Sequence, residues 1–87
     1  MSAPDGLAPV VDAAQRVAGI VAARGRGDAE GARALMGSFD DMQELAGGAL
    51  LVAELSLGLL RQQTGESLDE CVHDLCVQLE QVLGSSR

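Results

Sequence analysis

Leu45-Ala-Gly-Gly-Ala-Leu-Leu-Val-Ala-Glu-Leu-Ser-Leu-Gly-Leu-Leu60 holds one charge, Glu54, and one hydroxyl, Ser56. A helix on a protein surface keeps a polar face of some width, and this stretch has none. It therefore has to be covered on nearly all sides, by the rest of its own chain or by a partner. The rest of the chain is short, 87 residues, which is one small domain with a modest core.

Composition sets the fold class. Apolar residues make up 47% of the chain, yet it has one Phe and no Trp or Tyr. Leu and Ala favour helix, and β-branched and aromatic residues are too few to build a sheet. The expected fold is all-α, a small helical bundle of three long helices plus one short helix. The expected organisation is a flexible N-terminus over 1–8, a single helical domain over 9–84 and a flexible tail over 85–87. The absence of Lys and Asn, beside abundant Ala, Gly and Arg, is the texture of a GC-rich bacterial genome.

Helix 1 is expected over about 9–24. Pro9 suits a first turn, Val10, Ala13, Ala14, Val17 and Ile20 or Val21 recur at helical spacing, and Gly25 and Gly27 stop it. Asp28 is a natural N-cap for a short helix over about 29–36. Asp40 or Asp41 caps helix 3, about 41–63, with Gln43 or Glu44 as the other half of a capping box. Gly47-Gly48 costs about 1 kcal/mol per residue relative to Ala. A continuous helix is still expected, because Ala46, Gly47, Gly48 and Ala49 make a smooth patch for close approach. Gly65 ends helix 3 in the left-handed conformation, and Ser67-x-x-Glu70 opens helix 4, about 68–83. Leu68, Cys71, Val72, Leu75, Cys76, Leu79, Val82 and Leu83 form its apolar side, opposite Asp69, Glu70, His73, Asp74, Gln78 and Glu80. The short link predicts an antiparallel hairpin of helices 3 and 4.

Charge narrows the function. The net charge is −7, and all of it falls in residues 38–87, since the four Arg of residues 1–37 are matched by four acids. Phosphate backbones repel such a surface, so no nucleic-acid partner is expected. No signal peptide is expected. No membrane span is expected either, because the Leu45–Leu60 run falls short of about 20 residues and contains Glu54. Cys71 and Cys76 lie about 140° apart around a helix and cannot bridge each other there. Reduced cysteines and a cytoplasmic protein follow.

Candidate chemistry is thin. His73 has Asp69 one turn earlier, but a solvated His on a polar face is the ordinary reading. Cys71, His73, Asp74 and Cys76 lack the turn spacing of a zinc site, and buried Cys acting as small hydrophobes explain the thiols. The cluster Asp40, Asp41 and Glu44 is accounted for by the helix dipole. No Gly-rich phosphate loop is present. No catalytic, cofactor-binding or metal residue is expected, and no cofactor.

Phe39-Asp40-Asp41-Met42, at the start of the longest helix of a small acidic protein, resembles the acyl carrier proteins. That family carries D-S-[LM] there, with phosphopantetheine on the serine. Asp41 stands where the serine would be, so the resemblance implies a carrier fold without the arm. Helix 3 is also longer and more apolar than the family's second helix.

Three other helices, one of them tiny, are too few to cover helix 3. The expectation is a homodimer that also binds an unidentified protein, with Leu45, Ala49, Leu51, Val52, Leu55 and Leu59 at the interface. Asp40, Asp41 and Glu44 would face the partner. An apolar cavity for a small molecule or lipid is the rival expectation. Glu54, if buried, would need Arg16, Arg24 or Arg61.

Overall fold

The computed structural model describes residues 7–85, which form four α-helices and no strand. They are α1 (Leu7–Gly25), α2 (Ala29–Met36), α3 (Met42–Thr64) and α4 (Leu68–Ser85). The chain divides into two compact units, Met1–Ala53 and Glu54–Arg87, and α3 runs through the boundary.

Local chemistry sets the helix ends. Helix α1 starts at Leu7, two residues before the proline expected to open it, since the first turn tolerates a residue without an N–H. Leu7 and Ala8 are therefore helical, a correction to the expected loose segment, and residues 1–6 lie outside the described residues. Gly27 closes α1 at φ +77°, with its N–H donating to the Arg24 carbonyl at 3.1 Å and the Asp28 N–H to Ala23 at 2.8 Å. That pair of bonds is a Schellman motif. Asp28 then caps α2, its Oδ1 accepting from the Gly31 N–H at 2.9 Å.

Asp41 rather than Asp40 caps α3, accepting from the Glu44 N–H at 2.8 Å. Glu44 does not complete a capping box, because its carboxylate is taken by Arg16. Helix α3 is continuous through Gly47-Gly48. Gly65, at φ +74°, ends it by donating to the Arg61 carbonyl at 2.9 Å. The capping box of α4 is complete, with Ser67 N–H to Glu70 Oε1 at 2.9 Å and Glu70 N–H to Ser67 Oγ at 3.1 Å. Helix α4 reaches Ser85, one residue into the expected tail, and residues 86 and 87 lie outside the described residues.

In the first unit α1 is the centre. Ile20, Ala23 and Ala32 form a buried cluster, with Leu35 and Phe39 packed against it. Ala13, Ala14 and Val17 are also buried. Gly48 of α3 lies directly on the α1 backbone: a Cβ there would sit 2.7 Å from the Ala13 carbonyl carbon. The core is made of Ala, Gly, Val and Ile because the helices approach to backbone contact. In the second unit Cys71 is the only buried residue among those described.

Candidate functional site

Two features stand out, a polar hub in the first unit and apolar helix faces exposed to solvent. The hub is Arg16. Its Nε donates to Asp12 Oδ2 at 3.1 Å, one helical turn away. Its Nη1 donates to the Ser38 carbonyl at 3.0 Å and Ser38 Oγ at 3.1 Å, and its Nη2 to Glu44 Oε1 at 3.0 Å. The guanidinium also stacks 4.3 Å from the centre of the Phe39 ring. A planar fork with five donors can serve α1, the α2–α3 loop and the first turn of α3 at once. Partial burial, which disfavours the charge, is outweighed by the Glu44 hydrogen bond and by Asp12, so the guanidinium is held above its ordinary pKa. This hub fixes structure and leaves Arg16 no free donor edge for chemistry.

The acidic residues expected to face a partner are consequently not equivalent. Asp40 and Asp41 are exposed, but the Asp41 carboxylate is the α3 cap. Glu44 is half-buried, and its Oε1 accepts from Arg16 Nη2 at 3.0 Å, so it is tied to α1 as well as standing beside the exposed Asp40 and Asp41. The carboxylate at the carrier-protein serine position is thus a helix cap. Beside it lies an open groove of about 340 Å³, lined by Pro9, Val10, Ala13, Asp41, Glu44 and Gly47.

Glu54 is exposed, so the requirement for an arginine partner does not arise. Around the start of α4, a groove of about 280 Å³ is lined by Glu66, Asp69, Glu70, His73 and Asp74. Partial burial, then the charge and hydrogen bond of Asp74, push the Glu66 carboxyl above its usual range. The Ser67 N–H and hydroxyl hold Glu70 below its own. Among the described residues no group of His, Cys, Asp and Glu has the arrangement of a metal site. Both cysteines are free thiols; Cys71 is buried as a small hydrophobe, but Cys76 is exposed, which corrects the expectation for it.

The apolar faces are the larger feature. Of the expected interface residues, Leu55 and Leu59 are each 61% exposed, Ala49 is exposed, and Leu45, Leu51 and Val52 are half-buried. Gly48 is the one buried residue of α3. Helix α4 departs furthest from expectation. Its apolar side was expected to cover α3, yet Leu68, Val72, Leu75, Leu79, Val82 and Leu83 are exposed, from 39% at Val72 to 65% at Val82. Periodicity identified which side of α4 is apolar, but it carries no information on what that side meets.

Helix α3, at 23 residues, is also longer than the run from which a membrane span was discounted. By length and composition alone it could cross a bilayer. In the first unit a shallow cleft of about 290 Å³ pairs an apolar floor of Ile20, Ala29, Ala32 and Met36 with Arg24 and Arg33 at its edge. Comparison of the chain with protein-family models, with curated proteins and with solved structures finds no match.

Proposed function

We propose that this chain is a small cytoplasmic protein-interaction module, a regulator, adaptor or inhibitor, that forms a homodimer and binds a protein partner through its apolar helix faces. The observation that carries this reading is the row of large apolar side chains left in solvent along α3 and α4. Soluble monomers rarely expose contiguous apolar patches of this kind, and such patches mark contacts with other molecules. The acidic second half favours a target with a basic or mixed surface. The test is affinity purification from the source organism with the native chain and with a Leu55→Glu, Leu59→Glu variant. Loss of a stoichiometric partner in the variant is expected. Equal capture by both chains, or capture of nothing by a strictly monomeric chain, contradicts the proposal.

The length of α3 favours one second reading, association with a bilayer. Glu54 stands at the middle of the helix, where a charge costs about 3 kcal/mol to insert. Flotation with phosphatidylcholine vesicles separates the two readings, and the protein-interaction reading expects the chain to stay with the aqueous fraction.

A further inference from the structure

The interaction reading leaves open what covers α4. Its exposed residues Leu68, Val72, Leu75, Leu79 and Val82 are spaced four, three, four and three apart. That is the a/d seam of a coiled coil, with Leu68, Leu75 and Val82 at d and Val72 and Leu79 at a. Cys71, the one buried residue of the helix, sits at the edge of this seam, three residues after Leu68 and four before Leu75, so the chain's own cover reaches that edge and leaves the seam residues themselves exposed. The flanking e and g positions are Asp69, Cys71, Cys76, Gln78 and Leu83, of which one is charged. Helix α4 has no Lys or Arg, so it offers no attractive pairs to select an oppositely charged helix.

We propose that the seam is covered by α4 of a second copy of this chain, running antiparallel about a two-fold axis near Val77. This deepens the interaction reading and rests on it. In that register Leu75 faces Leu79 of the copy and Val72 faces Val82, so the stripe is complementary to itself, as an isologous contact requires.

Charge fixes the direction. Glu66, Asp69, Glu70 and Asp74 crowd the start of α4, where Glu66 is already hindered from ionising by burial and by Asp74. A parallel pair would bring two such acidic starts together. At 1.5 Å per residue, the antiparallel pair sets the two Asp69 residues about 24 Å apart along the axis, well beyond a screening length of about 8 Å. Area is consistent. Leaving aside Val77 on the opposite face, the six other exposed Leu and Val of α4 offer roughly 350 Å² of apolar surface. At about 60% apolar, that makes an interface of about 600 Å² per copy, at the lower edge of stable assemblies. The pair therefore dissociates on dilution.

Cys76 supplies the test. It occupies an e position one residue from the axis, so the two copies of this exposed thiol meet on the same side of the pair. Mild oxidation of the full chain with copper phenanthroline is expected to give a dimer on a non-reducing gel. Cys76→Ser is expected to lose it, and Val72→Cys, an a position that meets its own copy in a parallel pair but stands about 15 Å from it along the axis in the antiparallel one, is expected not to restore it in the Cys76→Ser background. Leu75→Glu with Leu79→Glu is expected to abolish both the crosslink and the dimer, with helical circular dichroism retained. Val77→Glu, on the opposite face, is expected to leave both intact. A native chain that is monomeric at every concentration overturns this proposal and the homodimer with it. A dimer that ignores Leu75→Glu, Leu79→Glu and gives no Cys76 link overturns this proposal alone. A crosslink through Val72→Cys overturns the antiparallel direction.

Discussion

Gly47 and Gly48 are neighbours on α3, and the structure assigns opposite signs to the same substitution at each. A Cβ at Gly47 would lie 3.8 Å from Val10 Cγ2, an ordinary contact. Gly47→Ala therefore gains the intrinsic helix preference of Ala, about 1 kcal/mol. A Cβ at Gly48 would lie 2.7, 2.8 and 2.9 Å from the Ala13 carbonyl carbon, the Ala13 oxygen and the Ala14 nitrogen. Those are backbone atoms in the middle of α1 and cannot swing aside. The helices must separate, at an overpacking cost of about 3 kcal/mol, the upper part of the usual range. Set against the same helix gain, Gly48→Ala is a net loss of about 2 kcal/mol. In a domain of this size that lowers the melting temperature by roughly 8–16 °C, while Gly47→Ala raises it by roughly 4–8 °C. Urea titration followed by circular dichroism measures both. Stabilisation by Gly48→Ala comparable to that of Gly47→Ala would refute the close approach of α1 and α3.

Arg16→Lys keeps the charge but cannot serve Asp12, Ser38 and Glu44 together, so its urea midpoint is expected to fall with the slope unchanged; an unaltered midpoint would deny the hub a structural role. Gly31→Ala would push a Cβ into the Asp28 carboxylate, so the usual gain from Gly→Ala in a helix is replaced by loss of a cap worth about 1 kcal/mol, read by thermal melting. Glu66 and Glu70 are expected to respond oppositely to pH. The raised carboxyl of Glu66 contributes stability that is present at acid pH and lost as pH rises through its raised value, so Glu66→Gln stabilises at neutral pH and loses that gain below the ordinary value of 4.5. The lowered carboxyl of Glu70 contributes stability present above 4.5 and lost as pH falls through its lowered value, so Glu70→Ala is most damaging at neutral pH. Melting curves across pH 3 to 7, approximately the carboxylate range, check both signs.

What was legible in the sequence was local. The Ser67 and Glu70 capping box, the Asp28 cap and the left-handed glycine at 65 each depend on residues within four positions of one another. The periods of Val, Leu and Ala located all four helices for the same reason. The non-local features were not legible. Glu44 has the spacing of a capping box, but a guanidinium 28 positions earlier in the chain takes its carboxylate, and no local pattern announces that. Arg16 gave no sign that it would join three segments. The smooth Gly-Ala patch on α3 signalled close approach by some helix, and the structure identifies the Ala13 backbone as the contact. The α4 stripe shows the limit most clearly: spacing fixed which residues share a side, but coverage depends on a surface elsewhere.

The account turns on the exposed side of α4 being covered in solution by another copy. Sedimentation equilibrium of the full chain over a roughly hundredfold range of concentration tests that directly, and a range this wide spans the transition of an interface of modest size. The expected result is a mass that rises with concentration from 8.9 kDa to twice that value and stops there. A mass fixed at 8.9 kDa throughout would contradict it.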